Sequence, residues 1–198
     1  MTDTAEKLRR ALAKTGEESS DFDLNPETVL PEGRKLRPAG VLIGVDAMRA
    51  EPHVYLTKRS SALKHHPGQI AFPGGKQDPD DADVVAAALR EAREEIGLPE
   101  ESVSVLGQMP VHETVTGFRV TPVVAMIERP FTLRPEAGEV EEAFSVPLSH
   151  LMQPSNYLIE SRRWRGIRRY YFTVPFGPYY IWGATARMLR ALAARMEE

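Results

Sequence analysis

The segment from Ala82 to Gly97 constrains this chain more than any other. At 100° per residue, Val85, Ala88, Leu89, Ala92 and Ile96 fall on one stripe, which predicts a helix over 82–96 with an apolar face against a core. Glu91, Glu94 and Glu95, at i, i+3 and i+4, share an adjoining face. Like charges at that spacing destabilise a helix by about 0.2–0.5 kcal/mol per pair. Gly97 is a natural helix stop, so the acids also occupy the last turns, where the macrodipole favours cations. A divalent cation offsets both penalties. Carboxylate oxygens are hard ligands, which suits Mg²⁺ or Mn²⁺. The competing reading is a solvated face: Arg90 and Glu94 form an i, i+4 pair, and such surface pairs are common and weak.

The wider spacing favours the metal. Gly75 stands ahead of the helix, and Arg90, Glu91, Ala92, Glu94, Glu95, Gly97 and Leu98 follow in one run. This resembles the Nudix box: Gly, five residues, Glu, seven residues, then Arg-Glu-apolar-x-Glu-Glu-x-Gly-apolar. Two features depart from it. Fourteen residues separate Gly75 from Arg90, one more than the general pattern, and the early Glu is missing, with Asp81 and Ala82 near its place. Upstream, Leu56-Thr57-Lys58-Arg59-Ser60, Lys64, Gly68 and Phe72-Pro73-Gly74-Gly75, followed by Asp78 and Asp81, are similar to the signature of the coenzyme A diphosphatase subgroup, whose box carries the same extra residue. Lys64 stands where that subgroup usually has Arg; phosphate contact survives the change, a planar bidentate contact does not. Further similarity lies in Thr116–Val124, Glu139–Phe144 and Ile181–Ala186, so the resemblance covers roughly residues 38 to 190.

Composition fits a small-molecule enzyme. At 198 residues the chain suits one domain, long enough to bury about 70% of its unfolded surface. The net charge of −3, with no long basic block, argues against nucleic acid as the main partner. The lack of cysteine excludes disulfides, thiolate metal sites and a cysteine nucleophile. No run of 18 apolar residues and no signal-peptide core occur, so a cytoplasmic protein without a membrane partner is expected, as monomer or homodimer.

Along the chain, Thr4–Lys14 reads as a short amphipathic helix and Gly16–Pro38, with three prolines, as an extended connector. Residues 1–37 are therefore expected to precede a Nudix domain at 38–198. Gly40–Ala47, His53–Lys58, Gln69–Phe72, Ser102–Gln108, Arg119–Ile127 and Glu142–Val146 read as strands, and Pro147–Met152 as a helical turn. Tyr157–Trp164 and Ile167–Val174 flank Arg165-Gly166 as a hairpin, and Ile181–Met196 reads as a closing helix. Short mixed strands around one central catalytic helix predict an α+β chain, the α/β/α sandwich with a mixed sheet that the Nudix resemblance implies.

The resemblance implies a role for each residue. Glu91, Glu94 and Glu95 are expected to hold Mg²⁺ or Mn²⁺, with the backbone carbonyl of Gly75 as a further ligand. Arg90 is expected to hold a carboxylate, most simply Glu94, completing the catalytic set Arg90, Glu91, Glu94 and Glu95. Gly74 and Gly75 would give a tight strand-to-helix turn beside the metal. Arg59 and Lys64 are candidates for binding substrate phosphate, and one of His65 and His66 is a weaker one. Glu113, Glu139, Glu141 and Glu142 are candidate general bases. Arg162, Arg163, Arg165, Arg168 and Arg169 form a basic hairpin, read either as solvated strand faces or as a surface for an anionic substrate or partner. Three functions compete: hydrolysis of coenzyme A or its derivatives, hydrolysis of another nucleoside diphosphate such as ADP-ribose, and nucleotide sensing without cleavage. Retention of all three box glutamates favours catalysis.

Overall fold

The computed structural model describes residues 3–30, 33–63, 66–164 and 166–197. The chain opens with helix α1 (Asp3–Ala13) and a two-residue strand β1 (Ser19–Ser20). Strands β2 (Arg37–Asp46), β3 (His53–Arg59), β4 (Ile70–Ala71) and β5 (Gly74–Lys76) lead into helix α2 (Val84–Ile96). Then come β6 (Val103–Gln108), β7 (His112–Glu113), β8 (Phe118–Ile127), β9 (Val140–Pro147) and the short helix α3 (Leu148–Leu151). Strands β10 (Leu158–Trp164) and β11 (Ile167–Thr173) form a hairpin before the closing helix α4 (Gly183–Met196).

The first nine strands make one mixed sheet. At its centre β2 runs parallel to β8 from Arg37 opposite Phe118 to Asp46 opposite Ile127. β3 and β5 pair antiparallel with β2, β4 and β9 with β3, and β6 and β7 with β8, while β1 runs parallel to β7. Strand alternation divides the core into two layers. On one face Leu42, Val123, Ala125 and Ile127 pack against Ala88, Ala92 and Ile96 of α2. On the other Ile43, Val45, Val124 and Met126 meet Leu8 of α1 and Leu189 and Leu192 of α4. The result is the expected α/β/α sandwich.

α2 lies directly on the sheet because β2 has a glycine beneath its first turn. A Cβ on Gly40 would fall 2.0 Å from the Val84 carbonyl oxygen. The helix stops at Gly97 as expected, but it begins at Val84, two residues later than expected, with Asp83 as its cap. The Asp83 carboxylate accepts from the Val85 and Ala86 N–H groups at 2.9 Å, and Gly97 at φ 72° donates to the Ala92 and Arg93 carbonyls.

Three details depart from expectation. Gly74 and Gly75 form no turn: they lie on β5, opposite Val41 and Gly40 of β2, and the chain turns into α2 only after Lys76. The polar connector is not wholly irregular, because Ser19–Ser20 add a strand to the sheet. There the fully buried His112 ring bonds Ser19 Oγ through Nδ1 at 2.9 Å and Asp21 Oδ1 through Nε2 at 3.1 Å. The segment before residue 38 also shares its core with the rest, Leu8 being fully buried. Among the described residues no helix is long and apolar enough to cross a membrane.

Candidate active site

α2 carries the three glutamates past β5, and each meets a different environment. Glu95 is 4% exposed, and the Gly74 N–H donates to its Oε2 at 3.2 Å. Burial pushes its carboxyl up to about 8; the Gly74 bond and the Arg59 charge pull it down, while the Glu91 and Glu139 charges add to the rise. The Glu91 carboxyl is also raised, by burial first, against the opposing pull of Arg90. Glu91 lies against Gly75, where a Cβ would come within 2.5 Å of its Oε1, so a side chain there would push the carboxylate from its present place. The Glu94 side chain is 52% exposed.

Arg90 organises this face. Its Nη1 lies 3.0 Å from both Glu91 Oε1 and Glu94 Oε2. Its Nε and Nη2 make a two-pronged contact with Asp81 at 2.9 and 3.0 Å, and Nη2 also donates to the Lys76 carbonyl at 3.3 Å. Pairing with Asp81 raises the guanidinium pKa further and lowers that of the Asp81 carboxyl. Arg90 thus holds Glu94, as expected, and Glu91 and Asp81 as well. Asp81 was not singled out by its chemistry in the sequence. The available signal was its position, five residues intervening between it and Gly75, where the general pattern places its early glutamate.

Among the described residues no three acidic or histidine side chains converge into a ready-made metal cage. Arg90 draws Glu91 and Glu94 toward itself, while Glu95 is turned to β5. The donor set nevertheless suits a hard divalent cation. Two carboxylates raised by burial and by neighbouring negative charge, with a third exposed at the rim, are the groups such an ion would relieve.

Around this centre the other candidates separate. Arg59 ends β3 opposite Val140, and its charge acts on Glu95. Its Nε is buried without a hydrogen-bond partner. Lys64, His65 and Arg165 lie outside the described residues. Of the four candidate bases, Glu139 is the one whose charge reaches both Glu91 and Glu95. Its loop is clamped to the end of α2 by Glu136 N–H donating to the Glu95 carbonyl at 3.0 Å, and to β3 by Ser60 N–H donating to the Glu139 carbonyl at 2.7 Å. Glu113 is ion-paired with Arg34 on β7, Glu141 with Lys58 at 2.6 Å, and Glu142 accepts from the Tyr179 hydroxyl at 2.5 Å. Arg162, Arg163, Arg168 and Arg169 lie on a sheet separate from the one against which α2 packs.

Comparison with known proteins identifies the family. The NUDIX domain model matches residues 36–166. An uncharacterised Nudix hydrolase NudL of Citrobacter koseri is 41% identical over 177 residues, covering 89% of this chain and 92% of that protein. The NudL of Cronobacter sakazakii is 41% identical over 162 residues, covering 82% and 84%. Among solved structures, a binary complex of a C. elegans Ap4A hydrolase superposes with a TM-score of 0.49 at 19% identity, covering 56% of this chain and 80% of that one. With the domain match spanning β2 to β9 and α2, and relatives aligned over most of their length, the chain belongs to the NUDIX family and is a hydrolase of diphosphate compounds.

Proposed function

We propose that this Nudix hydrolase cleaves the diphosphate bond of coenzyme A or its derivatives, giving 3′,5′-ADP and 4′-phosphopantetheine or its acyl form. The observation that carries this reading is the course of the Leu56–Gly75 segment, the part that resembles the coenzyme A subgroup. It runs from β3, whose last residue Arg59 acts on Glu95, to β5, whose Gly74 bonds Glu95 and whose Gly75 lies under Glu91.

Mg²⁺ or Mn²⁺ held by Glu91, Glu94 and Glu95, with the Gly75 carbonyl, would screen the diphosphate and turn a bound water into a nucleophile near neutral pH. Water oxygen adds to one phosphorus, and the bridging oxygen leaves with the other phosphate. Arg90, fixed by Asp81, keeps Glu91 and Glu94 in place. Glu139, on a loop tied to both α2 and β3, is our choice for the general base that takes the water proton. Arg59, with Lys64, supplies positive charge for the substrate's phosphates.

Purified protein with Mg²⁺ or Mn²⁺, given coenzyme A, ADP-ribose and NADH in parallel, tests the assignment. The reading expects the highest kcat/KM for coenzyme A and 3′,5′-ADP as a product. A higher kcat/KM for ADP-ribose moves the enzyme to another nucleoside diphosphate. Binding without turnover of any of the three supports the sensing module instead.

A further inference from the structure

The β10–β11 hairpin takes no part in this chemistry, yet its surface is costly to leave in water. Every residue of β10 is exposed, and the pair nearest the turn, Trp164 and Ile167, is 55% and 63% exposed. Immediately behind, the ladder sets Arg163 opposite Arg168 and Arg162 opposite Arg169. Like charges directly opposite one another destabilise an antiparallel pair, and a lone two-stranded hairpin is marginal in water. Successive residues point to opposite faces, so the two arginine pairs lie on opposite faces, with Arg162, Arg163 and Arg168 exposed and Arg169 half-buried. At about 3.4 Å per residue, the two pairs lie roughly 3 and 7 Å behind Trp164 and Ile167. Arg169 Nε is buried without a hydrogen-bond partner.

The base of the hairpin is held while this distal half projects. The Tyr180 hydroxyl donates to Glu160 at 2.6 Å, and the Asn25 side chain bonds both the N–H and the carbonyl of Tyr170, at 2.8 and 2.9 Å. The Tyr171 ring meets Trp182 edge-on at 5.1 Å. Charge is segregated too. Residues 158–173 carry five arginines against one glutamate in a chain whose net charge is −3.

The turn itself is Arg165-Gly166, and the apolar pair Trp164–Ile167 just behind it, set among arginines, suits the boundary region of an anionic bilayer, where apolar side chains and phosphate contacts meet. Tryptophan favours that boundary, arginine stems let the charged heads reach back to phosphate, and anionic leaflets attract basic segments. A protein partner would need an apolar socket ringed by acids; a lipid surface engages both arginine faces at once without one. We propose that the hairpin docks this protein on an anionic lipid surface, with Trp164 and Ile167 entering the headgroup–acyl boundary and the exposed Arg162, Arg163 and Arg168 meeting lipid phosphates. This adds a peripheral contact to the expectation of no membrane partner. That expectation rests on the lack of a run of 18 apolar residues, which marks spanning segments and does not register a short surface hairpin.

The full chain should be sedimented with vesicles of phosphatidylcholine alone and with vesicles containing a third phosphatidylglycerol. Binding is expected only to the anionic vesicles, weakening as salt rises, with a blue shift in tryptophan emission. Near an anionic surface each arginine is worth about fivefold in affinity, so R163S/R168S should bind about 25-fold more weakly. W164S/I167S should lose the blue shift and at least tenfold in affinity. Both variants should keep the wild-type melting temperature and turnover of soluble substrate, which separates docking from folding. Failure to bind anionic vesicles, or wild-type binding by both variants, overturns the proposal. So does a dimer that W164S/I167S dissolves in the absence of vesicle binding, since the tip's occupant is then a second copy of the chain.

Discussion

At the residue scale, Glu95 is the least ordinary side chain in the site. A carboxylate 4% exposed, facing Glu91 and Glu139, is held up to about 8 against an ordinary 4.5. The folded chain therefore binds this proton more tightly than the unfolded chain, and the contribution is fully present below about pH 4.5 and lost as pH rises through about 8. Melting curves in EDTA should show wild type losing stability between about pH 5 and pH 8 more steeply than Glu95→Gln; parallel slopes would contradict the buried-carboxylate account. Asp81 gives a second prediction. It orients Arg90 without belonging to the proposed donor set, so Asp81→Ala should cost about 10- to 100-fold in metal affinity or turnover, with partial recovery in Asp81→Glu. Isothermal titration with Mn²⁺ reads the metal term apart from kcat. Asp81 also marks a limit of reading the sequence. Its position near the early acid of the box was legible, but a two-pronged contact with Arg90 depends on how residues 77–83 cross over to α2, which no periodicity encodes.

At the element scale, α2 was the most legible part of the chain because its apolar stripe and its stop at Gly97 agree with one another, while the cap at Asp83 comes only from the structure. The burial of Glu95 was not legible. Helical spacing puts Glu95 beside the apolar stripe, but only the approach of β5, with a free N–H at Gly74, makes a buried carboxylate tolerable. The two-residue strands β1 and β7 were missed for a related reason: two residues show no alternation, and β1 pairs with a partner distant in sequence. The contact of α2 with β2 supplies a test. Gly40→Ala places a methyl 2.0 Å from the Val84 carbonyl, so the helix must lift or the strand must bend. Overpacking of this kind costs about 1–3 kcal/mol, which urea unfolding should register together with a fall in kcat. Asp83→Ala should cost about 0.5–2 kcal/mol through the lost cap alone. Equal stability of the Gly40 variant and wild type would mean that the helix does not bear on β2 as described.

At the scale of the whole molecule, one mixed sheet joins the carboxylate helix on one face to α1 and α4 on the other. The layers were legible from strand and helix patterns; the attachment of the N-terminal segment was not, because a short amphipathic helix followed by polar chain reads equally well as a loose leader. Leu8 is fully buried, so Leu8→Ala should destabilise the entire molecule by about 2–5 kcal/mol in a single unfolding transition. Its kcat at low temperature should stay near wild type, since α1 and α2 are on opposite faces. The central claim joins these scales: carboxylates on α2 hold a divalent ion that drives cleavage of the coenzyme A diphosphate. Its most direct test is the formation of 3′,5′-ADP from coenzyme A by wild type and Glu95→Gln, each with Mg²⁺ and with EDTA. The account predicts product from wild type with Mg²⁺, none with EDTA, and a kcat at least about 100-fold lower in Glu95→Gln with its fold intact. Turnover in EDTA, or a Glu95→Gln rate close to wild type, would contradict it.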